Sequence, residues 1–187
     1  MKRLLLISLF LTLVGYTYAQ VTIVPKLSLD MGDMRFGSDT AIYGDLAFNT
    51  DITLRFKTSD NFYLGIGAGF FRSISNEFYG KSYTIPVFIN ARWGNELYLD
   101  ANLGYHIPLN STGYGFLTGL YSRIGLGLCG LEDDGKGPNI GVYVDLLRLF
   151  WTSEVPKYVP DGYIPVSSGF NIGAYIEYSF PISSKKQ

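Results

Sequence analysis

His106 is the only histidine among 187 residues, and it stands six residues after Asp100 and five before Ser111. A serine, an imidazole and a carboxylate are the parts of a nucleophilic acyl-transfer site, in which the ring takes the hydroxyl proton and the acid orients the ring. The stretch Gly125-x-Gly127-x-x-Gly130 carries the spacing of a dinucleotide-binding turn. That chemistry needs a helix immediately after it, so that the first N–H groups of the helix can hold pyrophosphate. The next residues are Leu131-Glu132-Asp133-Asp134-Gly135, an acidic turn, so no nucleotide is expected. The turn offers carboxylates for weak calcium binding but lacks the spaced oxygen ligands of a calcium loop. Cys129 is the only cysteine, which excludes an intrachain disulfide, and one cysteine with one histidine do not make a metal cluster. No cofactor and no metal are expected.

A larger set of charged residues shares a pattern rather than a motif. Lys26, Asp30, Asp45, Asp51, Arg55, Arg92, Asp100, Arg123, Asp145 and Glu177 alternate with apolar neighbours. The last such stretch, Ser168 to Phe180, is the clearest. Phe170, Ile172, Ala174, Ile176, Tyr178 and Phe180 make one face; Asn171, Gly173, Tyr175, Glu177 and Ser179 make the other. A period of two is that of an extended strand with different surroundings on its two sides.

Eight such strands are expected: Val21 to Met31, Tyr43 to Lys57, Phe62 to Phe71, Ser82 to Trp93, Leu97 to Ile107, Gly115 to Leu128, Asn139 to Trp151 and Ser168 to Phe180. Pro25 is tolerable near a strand end or a bulge. The alternation blurs at Leu147, Arg148 and Leu149, which predicts a bulge there. No stretch shows helical periodicity. Short turns at Ser59-Asp60-Asn61, Gly94-Asn95-Glu96 and Glu132 to Gly137 alternate with longer connections, the longest being Thr152 to Ser167.

The N-terminus reads as a secretory signal peptide over residues 1–19: a basic start, an apolar run from Leu4 to Gly15, and Ala19 at the expected cut. Residues 20–187 then form one domain with 13 basic and 16 acidic side chains, which implies no nucleic-acid partner. After Gly15 nothing offers 18 consecutive apolar residues, so a membrane crossing would need a closed barrel.

Alternation does not say which face is inside, because a soluble eight-stranded barrel alternates too. Three features favour the apolar face outside. Gly65, Gly67 and Gly69 give the third strand a second face fit for a crowded lumen and unfit for solvent. Rings end the apolar face at both rims: Phe56, Phe62, Trp93 and Phe180 at the short-turn side, and Phe48, Phe70, Tyr83, Tyr105, Phe116 and Phe150 at the other. The third is the agreement of the leader with the Asn171-x-Gly173-x-x-Ile176-x-Tyr178 pattern of the last strand. The charged set (Lys26, Asp30, Asp51, Arg55, Arg92, Asp100, Arg123, Asp145 and Glu177) would then line a lumen already filled by side chains, paired across it as a polar plug; a gated ion or proton path is the alternative.

On these patterns the chain resembles the small outer-membrane β-barrel proteins of Gram-negative bacteria, of the OmpX and OmpA-transmembrane-domain type. Asn171-x-Gly173-x-x-Ile176-x-Tyr178 resembles the C-terminal signal that the barrel assembly machinery reads in such proteins. The resemblance implies an all-β, eight-stranded antiparallel up-and-down transmembrane barrel, porin-like in kind, in the cell outer membrane among outer-membrane lipid. It implies a non-enzymatic protein that is structural in the envelope or presents extracellular loops to a partner. In the longest loop Lys157, Tyr158, Asp161 and Tyr163 are the candidate contact residues. One alternative is a lipid-modifying enzyme that uses His106. The lipid A deacylases in this class carry their serine two residues after the histidine, where this chain has Pro108. The other is a soluble periplasmic ligand-binding barrel.

Overall fold

Strict alternation extends eight segments of the chain into long strands, and each pairs antiparallel with its sequence neighbours. The computed structural model describes residues 21–36, 41–43, 47–73, 83–109, 111–112, 115–130, 137–151 and 166–182. The long strands are β1 (Val21–Phe36), β2 (Ala47–Ser59), β3 (Phe62–Ser73), β4 (Tyr83–Gly94), β5 (Leu97–Pro108), β6 (Gly115–Cys129), β7 (Gly137–Trp151) and β8 (Val166–Pro181). Two short strands, Ala41–Tyr43 on β1 and Ser111–Thr112 on β6, lie in the connections. The order is up-and-down throughout, and β8 pairs with β1 to close the barrel. The described residues contain no helix.

Register fixes the shape. The row of paired residues Thr22, Arg55, Gly65, Asn90, Asn102, Arg123, Asp145 and Asn171 runs once round the barrel and returns to β1 at Asp33, eleven residues above its start. One of the eleven is a register shift on β1 between Asp30 and Asp33, so the stagger is ten residues. An even stagger is required if inward faces are to meet inward faces at the seam. Ten residues over eight strands tilt the strands by about 40°.

Several boundaries differ from the sequence expectation. β1 runs past Met31 to Phe36, and the second long strand starts at Ala47 rather than Tyr43. No bulge occurs at Leu147, Arg148 and Leu149: β7 pairs without a shift to both β6 and β8 through Trp151. Pro25 needs no bulge either, and stands opposite Ile52 in continuous register. The irregularity falls five residues later, at Asp30/Asp33.

Burial follows parity, with the usual polarity reversed. On β2 Asn49, Asp51, Thr53 and Arg55 are buried, while Ile52 between them is 61% exposed. Trp93 is 66% exposed, and Ile89, Leu97, Ile140, Val142, Ile172, Ile176 and Phe180 also stand on the outer surface. Glycines make the narrow interior possible. A Cβ on Gly127 would collide with the Tyr98 ring, one on Gly141 with Tyr175, and one on Gly173 with Tyr143. Each ring therefore lies in the space of a missing side chain, which fills the lumen with alternating small and large residues.

The short-turn rim is tied together by main-chain bonds. Gly94 N–H donates to the Asn61 carbonyl (2.8 Å), Cys129 N–H to Glu96 (2.7 Å), and Ile182 N–H to Val21 (2.7 Å). Gly94 has φ of +108°, which only glycine adopts cheaply, and it lets β4 turn back through Asn95 and Glu96.

Candidate functional site: the charged lumen

All nine of the charged residues expected in the lumen, from Lys26 to Glu177, point inward and are buried. Alternation on a strand makes this unavoidable once one face is inside. The stagger then decides who meets whom, and it sorts them into two clusters.

The cluster nearer the short turns is built on two carboxylates. Arg55 donates to both oxygens of Glu177 (3.0 and 3.2 Å) and to Asp100 Oδ2 (3.0 Å). Arg92 bonds Glu177 and lies 3.9 Å from Asp100. Lys26 Nζ is 2.9 Å from Asp100 and 3.4 Å from Glu177. Asn90 donates to Asp100, and Asn139 to Glu177 at 3.1 Å. Three cations thus share two carboxylates and leave an excess of one positive charge. The aromatic faces answer part of it: Arg92 stacks 3.5 Å from the Tyr98 ring centre, and Lys26 lies 4.8 Å over Tyr175. Out of water such a contact is worth about 2 kcal/mol. Tyr175 OH donates to Tyr98 OH at 3.1 Å and fixes the two rings together.

The second cluster lies further along the barrel. Arg123 holds Asp145 in a two-pronged grip (2.6 and 2.7 Å), donates to Ser28 Oγ at 2.9 Å, and stacks 3.7 Å from the Tyr143 ring centre. Tyr143 OH donates to Asp30, which lies 3.9 Å from Arg123. Beside it Phe71, His106 and Tyr121 pack edge to face, with ring centres 5.5 and 5.2 Å apart. Phe88 leans on Tyr121 at 5.3 Å.

His106 is buried, and its Nδ1 is 2.8 Å from Thr84 Oγ1. Asp100 lies six residues down the same strand, about 20 Å of chain away, with its carboxylate engaged by Lys26, Arg55 and Asn90. The structure does not bring those two together. Of Ser111 only the main chain is described, in the short strand beside β6. Gly125 and Gly127 belong to β6, in contact range of Tyr143, Tyr175 and Tyr98, and are lumen glycines rather than a phosphate turn. The acidic turn at 131–136, Asp45, and the loop residues Lys157, Tyr158, Asp161 and Tyr163 lie outside the described residues, as do residues 1–19. Among the described residues no group of three metal-binding side chains occurs.

On β8, Asn171 and Gly173 face the lumen and Ile176 and Tyr178 face out. The rings of Tyr178 and Phe180 stack 4.4 Å apart on the outer surface. Phe56, Phe62 and Trp93 lie at that rim, while Phe48, Phe70, Tyr83 and Tyr105 lie toward the other; the side chains of Phe116 and Phe150 are outside the described residues.

Reading by residue type missed Phe88, Tyr98 and Val24, which are buried in the lumen although apolar or aromatic. Parity alone would have placed Phe88 with Asn90 and Arg92, and Tyr98 with Asp100. Comparison with protein-family models and with curated proteins finds no match for the chain.

Proposed function

We propose that the chain is an integral outer-membrane β-barrel protein of the OmpX and OmpA-transmembrane-domain kind, non-enzymatic, which stabilises the envelope or holds its long connections toward a partner outside the cell. The observation that carries this reading is the reversed polarity. A continuous apolar outer surface encloses a lumen of charges, most of them paired. In water that arrangement would expose most of the apolar side chains and bury most of the charges, the costly choice in both respects. In lipid it is the favourable one, because the outer face meets hydrocarbon and the closed ladder leaves no strand edge unpaired. Dimensions agree: twelve residues of strand at a 40° tilt rise about 30 Å, enough for the roughly 25 Å apolar band of such barrels.

The Asn171, Gly173, Ile176 and Tyr178 pattern then serves as the assembly signal, and residues 1–19 as the leader removed on export. The lumen acts as a plug and not a conduit. A soluble ligand-binding barrel would want an apolar cavity, whereas this lumen is packed with arginine, carboxylate and tyrosine side chains. No observation favours hydrolysis at His106.

Membrane fractionation combined with a heat-modifiability gel tests the reading. Recovery in the outer-membrane fraction, with a faster band unheated than boiled, is expected. Recovery as a soluble periplasmic protein would overturn it.

A further inference from the structure

We propose that the middle of the lumen holds a monovalent cation of sodium size, bound between Asp51 and Asn49. Three observations converge there. The first is charge. Among the described residues the lumen holds five carboxylates, Asp30, Asp51, Asp100, Asp145 and Glu177, against four cations, Lys26, Arg55, Arg92 and Arg123. Four of the five carboxylates lie within ion-pair distance of a cation. Asp51 is the fifth, and among the described residues no lysine or arginine nitrogen lies within 4 Å of it. Its neighbour across the ladder, Lys26, sends its ammonium to Asp100 and Glu177 instead.

The second observation is a pair of buried polar side chains short of hydrogen bonds. Asp51 is 2% exposed; among the described residues Oδ1 receives only the Thr53 hydroxyl, at 3.4 Å, and Oδ2 receives no hydrogen bond. Two residues along β2, on the same face, Asn49 is 0% exposed and neither polar atom of its carboxamide has a hydrogen-bond partner among the described residues. Arg92 Nε, Tyr121 Oη and Asn171 Oδ1 also lack a hydrogen bond among the described residues, but Asp51 and Asn49 stand side by side on one strand face, and buried polar groups so placed mark a position where something polar binds.

The third is enclosure. Asn49 pairs across the ladder with Phe71 of the aromatic layer, and Asp51 with Lys26 of the ionic cluster. The site therefore lies between two packed layers, away from bulk solvent. Carboxylate and carboxamide oxygens are hard donors, and a single carboxylate with no cation of the described residues within 4 Å matches a monovalent ion. Calcium sites gather more carboxylate oxygens than one aspartate supplies. Water would complete the shell. The site is the same whether the barrel resides in a membrane or not.

The test uses the full mature chain refolded in detergent micelles. The midpoint of heat modification is followed as sodium chloride replaces choline chloride at constant ionic strength. The wild type is expected to gain several degrees and saturate, as a ligand bound to the native state requires. Asp51→Asn is expected to show a flat response. A wild-type midpoint indifferent to the exchange, or a sodium response that survives in Asp51→Asn, overturns the proposal. If Asp51→Asn does not fold, crystals of the wild type soaked in thallium(I) decide. An anomalous peak bridging Asp51 Oδ2 and Asn49 Oδ1 supports the site, and its absence, with water alone there, overturns it.

Discussion

Gly67 and Phe88 are paired across the β3–β4 ladder, and the Phe88 ring fills the space a Gly67 side chain would take: a Cβ there would meet ring atoms at 2.5 Å. The pair behaves as one unit of volume. Gly67→Leu is expected to destabilise by about 1–3 kcal/mol through overpacking. Phe88→Ala is expected to cost about 3–5 kcal/mol by leaving a cavity. The double variant should be more stable than the sum of the two predicts, because leucine occupies the emptied space. Urea unfolding midpoints in micelles check this; strict additivity would show that the two positions do not share the space.

Glu177 receives Arg55, Arg92 and Lys26 in a fully buried setting. Glu177→Gln leaves three cations facing the single carboxylate of Asp100. Breaking one member of a buried ionic group costs about 3–5 kcal/mol. The same change at the exposed turn residue Glu96 should cost under about 0.5 kcal/mol. Equal unfolding midpoints for the two variants would mean that the cluster contributes nothing to stability.

Parity carried most of what the sequence revealed. Once a strand is recognised, the inward position of Lys26, Arg55 or Glu177 needs no further information, because side chains alternate. What strand recognition does not supply is the stagger. Lys26 and Asp100 are 74 residues apart, and nothing local says that the ten-residue stagger brings them to 2.9 Å. The split into two clusters and the isolation of Asp51 arise from that long-range geometry and were not legible. Phe88 and Tyr98 are concealed for a different reason: their residue type suggests the apolar outer face, whereas inside a narrow barrel rings are filler. The bulge was expected at Leu147 because leucines on both faces blur a period of two, yet an apolar residue fits either a lumen or an outer surface without disturbing the ladder. The irregularity at Asp30/Asp33 has no local signature stronger than Gly32.

The plugged lumen predicts electrical silence. With Arg55, Arg92, Arg123, Tyr98, Tyr121 and Tyr143 buried inside eight strands, the described part of the lumen leaves no water-filled path of porin width. Purified monomer in planar bilayers should show no stable large conductance. A steady porin-sized current would require a different state of the barrel.

The outer face of β8 should tolerate apolar exchange and resist charge. Tyr178→Asp places a carboxylate in the outer aromatic pair with Phe180 and alters the proposed assembly signal. The expected result is a marked loss of heat-modifiable, membrane-integrated protein, with Tyr178→Phe close to wild type. Normal levels of folded protein in Tyr178→Asp would count against both the lipid-facing assignment and the signal.

The bond from Ile182 N–H to the Val21 carbonyl closes the seam at the rim where the first and last strands begin and end. That gives the barrel a mechanical direction. Its ladder bonds run across the strands, so a pull applied through both of these strand ends loads the seam one bond at a time and peels it like a zipper. A pull between one of those ends and the far end of β4 would instead load many bonds together in shear. The same closed ladder is therefore compliant along one line of force and stiff along another, and the compliant line starts at its own seam.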